Sequence, residues 1–66
     1  MNRDLENVTK AAQCAALLCS DLRALVCSDN LMLSDVALAE LDRATALHLR
    51  LQRLQANLET MERGSC

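Results

Sequence analysis

The sequence predicts an all-α fold: an antiparallel two-helix hairpin, packed like a coiled coil, that completes a helical bundle with a partner or a second copy. Three observations predict it. The 66 residues are 52% hydrophobic, with no aromatic residue, no Pro and one Gly, and this Leu- and Ala-rich mixture favours helix over sheet. Apolar side chains recur at alternating spacings of three and four residues, the signature of a heptad stripe. One short polar break divides the chain into two such segments, which form a single domain over residues 1–66.

The first helix is expected over about residues 4–27, with Asn2 or Asp4 as its cap. Its core stripe is read as Val8, Ala11, Ala15, Leu18, Leu22 and Leu25. A loop over about 28–34 follows, where Ser28, Asp29 and Asn30 interrupt the pattern. Asn tolerates the left-handed conformation that ends many helices. The second helix is expected over about 35–63, capped by Ser34, favoured at its positive end by Asp35, and stapled by Leu33 and Leu38. Its stripe is read as Ala44, Leu47, Leu51, Leu54, Leu58 and Met61, and Gly64 stops it. Glu6 with Lys10 and Glu59 with Arg63 have the acid-first spacing that supports a helix face.

A loop this short makes the helices antiparallel. Small residues then face large ones along the seam, with Leu18 near Ala44 and Ala15 near Leu47. One flank of this seam is polar, with Asp21 expected near Arg43. The other carries Leu5, Ala12, Cys19 and Val26 of the first helix against Leu41 and His48 of the second, with Ala16, Leu38 and Thr45 beside it. A hairpin of this size buries little apolar area against the entropy of ordering its chain. The apolar flank is therefore expected to bind a partner through Leu5, Ala12, Cys19, Val26, Leu38 and Leu41. Leu17 and Leu49 point outward elsewhere.

Composition excludes several function classes. The formal net charge is −2, so no basic field awaits a phosphate backbone, and without aromatic residues no platform stacks bases. Nucleic acid is not an expected partner. No apolar run is long enough to span a bilayer, and the N-terminus does not read as a secretory signal. Cys14, Cys19, Cys27 and Cys66 are expected to be reduced thiols in the cytoplasm, with Cys66 exposed. His48 and the cysteines lack the spacing of a zinc site, and no residue trio points to nucleophilic catalysis. No enzyme activity, metal or cofactor is expected.

In size and in pattern, including the capped loop and the run Leu33-Ser34-Asp35-Val36-Ala37-Leu38-Ala39-Glu40-Leu41, the whole chain resembles the YscE family of type III secretion proteins. That resemblance implies a cytoplasmic co-chaperone that pairs with a tetratricopeptide-like, helical-repeat chaperone. Together the two would hold the needle subunit unpolymerised before export. The alternatives are a homodimeric four-helix-bundle regulator, which would use Arg43, Arg50 and Arg53 if it bound RNA, and a small inhibitor acting by helix contacts. The free protein would then be a homodimer or a higher oligomer.

Overall fold

Leu, Ala and straight-chain polar residues carry helix through nearly the whole chain. The computed structural model describes residues 2–64, with α1 over Asn2–Val26 and α2 over Leu31–Gly64. The two pack against each other as a helical hairpin, and the described residues contain no strand. Cα atoms extend over 53 × 15 × 12 Å. At about 1.5 Å per residue, the 34 residues of α2 set that length. With 25 residues, α1 is shorter, so the last turns of α2 run past its start.

The connection is tighter than the sequence implies. It occupies residues 27–30, and α2 begins at Leu31 rather than near Asp35. The cap is Asn30: its Oδ1 accepts a hydrogen bond from the Leu33 amide at 3.1 Å, the three-residue reach of an N-cap side chain. Ser34 was the expected cap, because Ser-Asp before an apolar run has the same composition as a helix start. Instead it lies in the first turn of α2, and its hydroxyl donates to the Val26 carbonyl at 2.6 Å. That bond satisfies an orphan carbonyl at the end of α1 and ties the two helices together. Ser28 Oγ accepts from the Asn30 amide at 3.1 Å. No described residue adopts a positive φ, so side-chain capping closes the turn without a left-handed residue. With Asn30 as cap, Leu33 and Leu38 do not hold staple positions.

Asp4 lies inside the first turn of α1 and favours its positive end. Cys66 and the side chain of Asn2, both assigned roles from sequence, lie outside the described residues. Lys10 Nζ meets Glu6 Oε1 at 3.4 Å. Farther along, Gln55 Nε2 donates to Glu59 Oε1 at 3.4 Å, so Gln55 is the partner of Glu59.

The packing seam differs from the expected one by a rotation of both helices. In α1 the inward residues are Leu5, Val8, Ala12, Ala15, Cys19, Leu22 and Val26, a full three-four stripe. In α2 they are Ser34, Ala37, Leu41, Ala44, His48, Leu51, Gln55 and Leu58, again three-four throughout. Ala11, Leu18 and Leu25 of the expected stripe are exposed, as are Leu47, Leu54 and Met61. The reason is steric. Among the described residues only Ala12, Ala15, Cys19, Ala37 and Ala44 are buried, all small side chains that let two backbones approach closely, whereas leucines at those places would hold them apart. No large side chain among the described residues is fully buried.

Candidate functional site

Heptad geometry places two flanks beside this seam. Counting down both helices from the Ser34–Val26 bond brings Cys19 level with Leu41 and Ala12 level with His48. On one flank stand Thr9, Ala16 and Arg23 with Leu38, Thr45 and Gln52, a mixed and largely polar row. On the other stand Ala11, Leu18 and Leu25 of α1 with Leu33, Glu40, Leu47 and Leu54 of α2. This second row is the candidate site, and we refer to it as the leucine edge.

Its five leucines are evenly half-open, between 40% and 47% exposed. Each lies against the seam on one side and faces solvent on the other. Together they leave a row of large apolar side chains on a molecule whose buried residues, among those described, are all small. From Leu33 to Leu54 the row runs about 31 Å at about 1.5 Å per residue. Midway, Leu18 and Leu22 of α1 and Ala44 and Leu47 of α2 line an open groove of about 350 Å³. Glu40 and Arg43 form its polar rim. Arg43 reaches Glu40 Oε1 at 3.8 Å and so pairs within its own helix, not with Asp21. Both side chains are more than half exposed, and a pair so placed adds little stability.

The six residues expected to contact a partner are redistributed. Ala12 and Cys19 are buried in the hairpin's own seam. Leu5, Val26 and Leu41 are half-buried along the same seam, with their inward faces spent on the opposite helix. Leu38 alone is well exposed, at 52%, but it stands on the polar flank. The five displaced residues are thus the glue of the hairpin. Conversely, Leu18, Leu25, Leu47 and Leu54, read from sequence as core, are the open ones.

No protein-family model, curated protein or solved structure matches this chain. Function is therefore argued from the leucine edge itself. Among the described residues, no three of His, Cys, Asp and Glu come together where they could hold a metal ion. Cys14 and Cys27 are exposed thiols and Cys19 is a buried one. His48 is half-buried within the seam. Among the described residues no helix is long and apolar enough to cross a membrane.

The leucine edge escaped sequence reasoning because in both helices two neighbouring stripes carry apolar residues at the same three-four spacing. One signal separates them. The positions occupied by Ala and Cys at 12, 15, 19, 37 and 44 all fall on a single stripe per helix, and small residues mark the line of closest approach.

Proposed function

We propose that this chain is a non-enzymatic docking protein whose leucine edge completes a helical bundle with another helical surface. The observation that carries this reading is the contrast in side-chain size: the buried residues among those described are all small, while Leu18, Leu25, Leu33, Leu47 and Leu54 line one half-open edge. A helix with an apolar face wider than its seam is typical of bundles of more than two helices. The groove at Leu18 and Leu47 offers a seat for one large apolar side chain of the partner.

The specific role we assign is that of a cytoplasmic type III secretion co-chaperone. Its partner is a tetratricopeptide-like chaperone, and the pair keeps the needle subunit soluble and unpolymerised before export. This role follows the resemblance in length and helical pattern to the YscE family, and the physics of docking agrees with it. A helical-repeat protein presents concave helical surfaces, against which a straight apolar edge fits.

Co-expression with the tetratricopeptide-like chaperone of the same cell, followed by affinity capture, tests both parts. The wild-type chain is expected to be captured. Leu18→Asp and Leu47→Asp each lower capture by at least about tenfold, as loss of a central anchor does. Leu17→Asp, on the outer face where Leu17 is 66% exposed, leaves it unchanged. Capture indifferent to both edge variants contradicts the site, and no capture of the wild-type chain contradicts the co-chaperone role.

A further inference from the structure

The charges of the hairpin are divided between its ends, and this division says what covers the leucine edge when no other partner does. The half nearest the connecting turn carries five carboxylates, Asp21, Asp29, Asp35, Glu40 and Asp42, against Arg23 and Arg43. The open half carries Arg3, Lys10, Arg50, Arg53 and Arg63 against four carboxylates. One end is thus net acidic and the other slightly basic.

We infer that the free protein pairs with a second copy of itself through the leucine edge, the two hairpins antiparallel, each acidic turn end lying on the other's basic open end. The inference rests on the reading that this edge docks helices, and it names the occupant. A two-fold interface applies one patch to itself, and a straight apolar row about 31 Å long is matched in length by its own copy. Charge decides the direction. Parallel pairing would set acidic end on acidic end and bring Glu40 against Glu40. Antiparallel pairing about the middle of the leucine row, between residues 43 and 44, sets Leu33 level with Leu54 of the other copy and Glu40 level with its Leu47, about one turn from Arg50. Arg50 follows Arg43 by seven residues, two turns along the row beside the leucine edge, so it is placed to reach that carboxylate. The pairing closes a four-helix bundle in which Leu18 and Leu47 become interior.

Self-pairing has a regulatory consequence. A partner that docks on the same edge must displace the second copy, so free protein is held in reserve with its apolar surface covered. Partner affinity then depends on the concentration of this chain.

Sedimentation equilibrium of the full chain over a range of concentrations tests this. The expected result is a monomer–dimer equilibrium that Leu47→Asp weakens by at least about tenfold and Leu17→Asp leaves alone, with helicity by circular dichroism confirming that each variant folds. Direction is read from charge reversal. Glu40→Arg and Arg50→Glu each weaken the dimer by about fivefold, and the double reversal restores it to within about twofold. A chain that stays monomeric throughout overturns the inference, as does a dimer indifferent to Leu47→Asp or one in which the two reversals add without rescue. The docking role is judged separately. If the free chain is monomeric while Leu47→Asp abolishes chaperone capture, self-pairing fails and that role stands. If the dimer behaves as expected while capture ignores Leu47→Asp, self-pairing stands and the chaperone role fails.

Discussion

The two apolar stripes of this hairpin differ in side-chain size, and size decides which one the chain uses on itself. Along the seam, Ala12, Ala15, Cys19, Ala37 and Ala44 are buried. Along the leucine edge a few ångströms away, side chains several times larger stay open to solvent. Burial per residue favours the larger side chains, yet two helices close on the smaller ones. Close approach of two backbones gains many weak contacts along the full length of the pair. Leucines left at the flank keep their area available for a third or fourth helix. The comparison shows a molecule whose own packing is thin and which leaves a row of five leucines half-open beside its seam, with other large apolar side chains, Leu17, Leu31, Met32 and Leu49 among them, exposed elsewhere.

The contrast between the stripes can be broken from the seam side. Ala44→Leu places a large side chain at a position that is 6% exposed. It is expected to force the helices apart and destabilise the hairpin by about 1–3 kcal/mol, the usual cost of overpacking. Urea denaturation followed by circular dichroism measures it. The same enlargement at Ala46, exposed on the outer face of α2, should change stability little, because nothing stands against it there.

A smaller effect is expected at the turn, which sets the register that separates the stripes. Removing the Asn30 cap with Asn30→Ala loses the bond to the Leu33 amide and should cost about 1 kcal/mol. The same denaturation experiment reads it. A cost near zero would mean that the turn is held by the Ser34–Val26 bond and the seam alone.

Much of the fold was legible in the sequence. The three-four spacing, the polar break at Ser28-Asp29-Asn30, the single Gly and the absent Pro lead to a helical hairpin without ambiguity. The start of α2 was harder to read, because Ser34 and Asp35 imitate a cap while Leu31, Met32 and Leu33 look unlike the first turn of a surface helix. All three are exposed. An apolar edge was legible as well, but its position was not. Hydrophobic periodicity treats Ala15 and Leu18 alike, so the stripe Val8-Ala11-Ala15-Leu18 and the stripe Leu5-Val8-Ala12-Ala15 fit the same spacing. Residue volume separates them: the second stripe places Cys19 where the first places Leu18, and Ala12, Ala15 and Cys19 are the residues buried in α1 among those described.

The reactivity of the thiols tests the arrangement most directly. Cys19 is 3% exposed in the seam, whereas Cys14 and Cys27 are exposed. Were the expected stripe the seam, Cys19 would stand on its open flank. Alkylation of the native protein, followed site by site by mass spectrometry, is expected to modify Cys14 and Cys27 quickly. Cys19 should react at least about tenfold more slowly until denaturant is added, since it reacts only when the hairpin opens. If Cys19 is alkylated as fast as Cys14 in the folded protein, the seam is not where the small residues place it and the leucine edge is not the open one.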